Sequence, residues 1–365
     1  MSDNQRVFRK VAQTLKKKMK GIPEKYIAVW GMMVAGIIQG KSARLNSIAE
    51  ETPGKAKNKS VFRRLQRFVS NDRVDAQAHF MPFASQIVEA LSVNRLVVAI
   101  DGSQVGRGCM VLMVGVAYRN RLLPLTWLVY KGKKGHASAA RHIQVLQQLQ
   151  PLIPEDSEVV LLGDGEFDNV AMLEWVETNT SWEFVVRTAK SSQVWIEGKQ
   201  ERLEELAEEE GIIVSLYDTF FTSREYGPLN AIAWWGEGYE EPIYLLTNLQ
   251  DTDEACQWYQ KRALIETLFS DQKSRGFGID KSHLTDPEKL HRLLVGACLA
   301  YIWMIWLGVE VITKDYIHLI DHNSRCDKSV FRLGLDWLKH LLKNGKRVIV
   351  SFTIPDVPKL SHGVM

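Results

Sequence analysis

Two runs of β-forming residues, LVVAID at 96–101 and SEVVLLGD at 157–164, each finish on an aspartate. Nothing else in the chain constrains its fold as strongly. Between them lie CMVLMVGVAY (109–118) and RLLPLTWLVY (121–130), separated by Arg119-Asn120, which reads as a hairpin turn. The first run and these two make an antiparallel meander. After the loop KGKKGHAS, a helix is expected over about 137–150 and another over about 169–178, with WEFVVRTA (182–189) as a fifth strand. In this order the first strand becomes central, and the first crossover lays the fourth strand beside it in parallel. Asp101 and Asp164 then stand side by side at adjacent strand ends, where α/β sheets keep their sites.

The flanks read differently. A chain of 365 residues suits two or three domains. Residues 1–95 carry 18 Lys/Arg against 7 Asp/Glu, whereas the remainder carries 28 against 36. Such asymmetry suits a polyanion-binding module joined to something else. These 95 residues read as helices. One is apolar over 26–38 and stops at Gly40; another, SVFRRLQRFVSND, is capped by Ser60. In the second, Val61, Leu65 and Phe68 share a face and leave Arg63, Arg64 and Arg67 off it, as a DNA-reading helix would.

Residues 190–248 are expected to be a β-rich insertion that opens with an acidic helical stretch and continues through GIIVSLY, NAIAWW and PIYLLTN. Residues 249–325 return to the core, and 326–365 form a segment that packs on it or helps to dimerise the protein. Four scattered cysteines without CxxC spacing argue for a reducing compartment and against a zinc cluster. The polar start MSDNQRVFRK is no signal peptide, so a cytoplasmic protein is expected. The apolar run 293–309 falls short of the ~20 residues a bilayer needs and is read as a buried helix, with no membrane partner.

The segment DTDEACQWYQKRALIETLFSDQKSR (251–275) holds the most chemistry. Asp251 or Thr252 can cap it, and its apolar spacing is helical. At 100° per residue, Tyr259, Arg262, Glu266 and Lys273 fall within about 60° of one another. That stripe is odd for a core-facing helix. It makes sense if Glu266 holds a cation and the two basic residues hold phosphates. Phosphoryl transfer on DNA is served by two Mg²⁺ ions about 3.5–4 Å apart, for which carboxylate oxygens are natural ligands. Asp101, Asp164 and Glu266, on separate elements, can supply that platform. Arg262 can also simply pair with Glu266 at i,i+4.

The spacing Tyr259-x2-Arg262-x3-Glu266-x6-Lys273 resembles the YREK signature of the IS4 family of bacterial insertion-sequence transposases. IDGS (100–103) and GDGEFDN (163–169) resemble the surroundings of that family's two aspartates. The resemblance spans roughly residues 60–310. It implies an RNase H-like core, a mixed five-stranded sheet with helices, interrupted by a mainly β insertion and preceded by an all-helical N-terminal domain. It further implies two Mg²⁺ or Mn²⁺ ions per site on Asp101, Asp164 and Glu266, and end cleavage, commonly through a hairpin, followed by joining of 3′-ends to a target. Tyr259, Arg262 and Lys273 would contact the element end. A tryptophan of the insertion helps to flip a base in some relatives, and Trp195, Trp234 and Trp235 are candidates here.

The implied partners are double-stranded DNA and a second copy of the chain at synapsis. Arg187 and Lys190, with the loop residues Lys131, Lys133 and Lys134, are further candidates for backbone phosphates. His136 and His283 lack ligand spacing, and Thr285-x-x-Glu288 reads as a capping box. A nuclease or resolvase on the same core, and a DNA-binding regulator derived from a transposase, remain the alternatives.

Overall fold

The computed structural model describes residues 1–135, 137–206, 209–321 and 326–355. Five helices come first: α1 (Asp3–Lys18), α2 (Glu24–Gly40), α3 (Leu45–Glu51), α4 (Asn58–Val69) and α5 (Ala76–Leu91). In α4, Val61, Leu65 and Phe68 are buried while Arg63, Arg64 and Arg67 are exposed on the other side. The helix starts earlier than its sequence suggests, at Asn58 after Lys57, so Ser60 lies inside it and caps nothing.

Then follow β1 (Leu96–Gln104), β2 (Cys109–Tyr118), β3 (Arg121–Lys131), α6 (Ala139–Leu149), β4 (Val159–Gly163), α7 (Val170–Asn179) and β5 (Glu183–Thr188). Next come β6 (Gln193–Ile196), β7 (Lys199–Arg202), β8 (Ile213–Phe221), β9 (Tyr226–Trp234) and β10 (Ile243–Thr247). The last described elements are α8 (Thr252–Gln260), α9 (Leu264–Gln272), α10 (Pro287–Thr313) and α11 (Val330–Lys343).

The strands form one ten-stranded sheet in the order β3-β2-β1-β4-β5-β10-β9-β8-β6-β7. Its first five strands are the mixed unit of an RNase H-like core: β1 is antiparallel to β2 and parallel to β4, and β4 is parallel to β5. The sheet does not stop there, because β10 pairs antiparallel with β5 and carries β9, β8, β6 and β7 outward. The acidic stretch expected to be helical instead opens with the hairpin β6–β7. Ile196 pairs with Lys199 across Glu197-Gly198, and both turn residues have positive φ, at 49° and 77°. That is the backbone of a two-residue hairpin loop matched to strand twist, and it overrides the helical preference of the glutamates.

The apolar helix α10 is the spine of the helical layer and packs against α2, α5, α9, α11 and β3. It is long and apolar enough to cross a membrane, but 83% of its most apolar window is buried within the protein. Its N-cap is Asp286, whose side chain accepts from the Lys289 amide, not the Thr285 of the expected capping box. The Thr285 carbonyl instead accepts from Lys131 and Cys109. Of the segment 326–365, residues 326–355 are described, and α11 within it lies against α10.

Candidate active site

Register places the two aspartates. β1 and β4 run parallel with Leu96 opposite Val159 and Ala99 opposite Leu162, so the next side chains to point the same way on each strand are Asp101 and Asp164. The strands differ in length beyond that point. β4 ends at Gly163, while β1 continues to Gln104 paired only with β2, so Asp101 lies within its strand and not at the expected end. The missing neighbour beyond Gly163 opens the sheet edge on which a site can be built. Gly163 is required for the turn: a Cβ there would stand 2.7 Å from the Cβ of Phe167, which folds back under the strand end.

Each aspartate is anchored by nearby backbone. Asp101 Oδ1 accepts from the Gly102 amide at 2.6 Å, and Asp164 Oδ1 accepts from the Glu166 amide at 3.0 Å. That leaves both Oδ2 atoms facing a common space. The neighbouring carboxylates are used elsewhere: Glu166 accepts from the Ala137 amide, and Asp168 accepts from the Thr188 hydroxyl.

The third carboxylate arrives from the far end of the chain. Residues 251–275 are not one continuous helix, because the 3₁₀ turn Lys261–Ala263 separates α8 from α9 and rests against β1 and β4. Asp251 caps α8 by accepting from the Glu254 amide. Despite the break, Arg262 and Glu266 both face the aspartates. Arg262 Nη2 donates to Asp164 Oδ2 at 2.9 Å and Asp101 Oδ2 at 3.3 Å, while Nη1 donates to Glu266 Oε1 at 2.6 Å. One guanidinium therefore joins three carboxylates drawn from positions 101, 164 and 266 of the sequence. Among the described residues, no three acidic, His or Cys side chains are close enough to form a ready-made ion site. In this cluster the guanidinium stands between the carboxylates, where an ion would draw them together. The i,i+4 pairing of Arg262 with Glu266 is real, but it is one arm of a four-residue cluster.

The charge balance is uneven. Burial pushes the Asp101 carboxyl up to about 6; Arg262 opposes that shift and Asp164 reinforces it. Burial works against the charge of Arg262 as well, but Asp101, Asp164, Tyr259 and Glu266 together hold its pKa above the ordinary value. Glu266 is the accessible member, with a side chain 62% exposed against 6% for Asp101.

Lys273 follows α9 directly and donates to the Ser103 hydroxyl at 2.5 Å. Ser103 lies two residues beyond Asp101 on β1 and so on the same face. The alternation of the strand already carried that placement, and the motif drew attention away from it. Burial lowers the Lys273 pKa, and Lys134 is close enough to act on both Lys273 and Asp101. Asp271, a rival carboxylate on the same helix, is buried 3.6 Å from Arg121 and away from the cluster.

A cleft of about 490 Å³ adjoins the carboxylates, lined by Asp164, Arg187, Lys190, Tyr244, Tyr259 and Arg262 among others. Sequence reasoning named all of these except Tyr244, which β10 contributes. Burial pushes the Tyr259 hydroxyl up to about 12. None of Trp195, Trp234 and Trp235 lines this cleft; Trp234 is buried beside Tyr239, and Trp235 donates to the Tyr239 carbonyl. His283 is exposed, and His136 lies outside the described residues.

A family model for the transposase DDE domain matches residues 92–303, which run from β1 into α10 and include all three carboxylates. The chain belongs to that family. No curated protein matches the chain. Solved structures overlap it loosely. A piggyBac transposase synaptic complex with hairpin DNA is 12% identical with a TM-score of 0.48, covering 98% of this chain and 84% of that one. Human ENDOV is 14% identical with a TM-score of 0.26, covering 66% of this chain and 98% of that one. The matched span of the DDE domain also takes in Ser103, Lys273 and every residue named above as lining the cleft.

Proposed function

We propose that this chain is a cut-and-paste DNA transposase of the IS4 kind, which cleaves the ends of its element and joins the 3′-ends to a target. The convergence of Asp101, Asp164 and Glu266 on one point carries the reading. Three carboxylates within reach of a single guanidinium are a donor set of hard oxygens, which suits Mg²⁺ or Mn²⁺. Bound there, a pair of such ions would activate the attacking oxygen and stabilise the leaving one. Asp101 and Asp164 would provide fixed ligands because their Oδ1 atoms are tied to the backbone, and Glu266 would provide the adjustable one.

The protein's remaining work is positioning. Arg187, Lys190, Tyr259 and Arg262 give the cleft the donors that phosphate oxygens need, with Tyr259 and Tyr244 as apolar walls for a sugar or a base. Lys273, bonded to Ser103 two residues beyond Asp101, suits a flanking phosphate. A hairpin intermediate would require an aromatic side chain to hold an extruded base; Tyr259 and Tyr244 are better placed for that than any of the three tryptophans. Two ends must be cut together, so a dimer is expected at synapsis.

A strand-transfer assay with a labelled element-end duplex tests the reading. A transposase joins the labelled 3′-end to a target plasmid; a nuclease on the same core yields cleavage without joining, and a regulator yields only a retarded band. Either of the latter results excludes the proposed activity.

The arginines of α4 carry a separate expectation. Replacing Arg63, Arg64 and Arg67 together by Gln should weaken DNA binding and reduce its salt dependence by about 0.9 in the log–log slope for each phosphate no longer neutralised. The melting temperature should hold, since none of the three side chains is buried. An unaltered slope in a salt titration assigns DNA binding to another face.

A further inference from the structure

We propose that Arg262 is a built-in competitor for the cation site, occupying it while DNA is absent and leaving it for a DNA phosphate, so that ion loading follows DNA binding. This rests on the reading of Asp101, Asp164 and Glu266 as cation ligands.

Four observations carry it. The guanidinium contacts one oxygen of each carboxylate, the atoms an ion would take. A guanidinium does not lose its proton in a protein, so it can yield the site only by moving. Its fit is incomplete: Arg262 Nε is buried without a hydrogen-bond partner, so this pose leaves a donor unmet that a phosphate could serve. Finally, Arg262 also lines the cleft with Arg187 and Lys190, where a phosphate would lie, and it springs from the short 3₁₀ turn Lys261–Ala263 and not from mid-helix.

The electrostatics favour exchange in one order. One positive charge among three carboxylates leaves the cluster net negative, so a divalent ion remains attracted, but it must displace the guanidinium first. A phosphate offers Arg262 a bidentate partner, and its departure restores the full charge of the ligand set. The coupling is reciprocal, so ions must strengthen DNA binding by the factor by which DNA strengthens ion binding.

Mn²⁺ titration of the full chain without DNA, read by electron paramagnetic resonance, tests this without any turnover. Arg262→Gln should bind Mn²⁺ about tenfold or more tighter than wild type. Adding Glu266→Gln to that variant should remove the gain, placing the ion on the carboxylates. Duplex DNA carrying the element ends should tighten Mn²⁺ binding to wild type by a larger factor than to Arg262→Gln, and an equal factor in the two overturns the proposal. Equal Mn²⁺ affinity in wild type and folded Arg262→Gln overturns the proposal. If that variant does not fold, Arg262→Lys decides: its single ammonium cannot span three carboxylates, so affinity should rise part-way, and no rise overturns the proposal. Failure of the underlying site looks different, because Glu266→Gln would then leave Mn²⁺ affinity untouched in every background.

Discussion

Glu266→Gln should lower metal-dependent DNA cleavage by at least about a thousandfold, since even groups that only support a metal ligand are worth about 10–100-fold. The change keeps the size of the side chain and removes one ligand charge. Its cost to the fold should be small. The Glu266 side chain is 62% exposed and its ion pair with Arg262 is an i,i+4 contact, worth about a few tenths of a kcal/mol. Cleavage and strand transfer measured in Mg²⁺ should therefore collapse while the melting temperature, and retardation of an end duplex without divalent ions, stay near wild type. Activity within about tenfold of wild type would remove Glu266 from the chemistry. Asp101→Asn is a less clean test, because Asp101 is buried and bonded to the Gly102 amide.

The largest effect on stability is expected far from the carboxylates, where α10 and α11 touch. A Cβ on Gly334 would stand 1.9 Å from the Met304 carbonyl oxygen, and one on Gly308 would stand 1.9 Å from that of Val330. Glycine in mid-helix costs about 1 kcal/mol relative to alanine, so each position gives up intrinsic helix stability for close backbone approach. Gly334→Ala should reverse that preference, forcing the helices apart at a cost of about 3 kcal/mol or more. The melting temperature should drop by about 4 °C or more. A variant that melts with the wild type would mean that α11 can move away from α10 freely. The two substitutions are complementary, one striking activity without stability and the other stability first.

Much of this was legible in the residues. The five core strands are dense in Val, Leu and Ile, two of them lead into aspartates, and the strand register carries that pattern directly into space. Two features were not. The acidic stretch after β5 is rich in helix-forming glutamate, yet Glu197-Gly198 between VWI and KQ closes a hairpin; the turn dipeptide was the stronger signal, and local composition concealed it. The break at Lys261–Ala263 had no local signal, since Lys, Arg and Ala all favour helix. It arises where the chain meets β1 and β4, a tertiary effect that no window of sequence contains. Four residues placed on one helical face thus reach the same region through two helices and a turn.

The sheet itself has a mechanical consequence. β5 is hydrogen-bonded on one edge to β4, which leads to Asp164, and on the other to β10, which supplies Tyr244 to the cleft. The Asp164 and Tyr244 sides of the groove are therefore joined by main-chain bonds through β5. These two sides move as one piece, with the strand between them. On the proposed function, bringing a phosphate within reach would then fall to the duplex, and sequences that distort cheaply at the element tip would gain an advantage the protein never reads base by base.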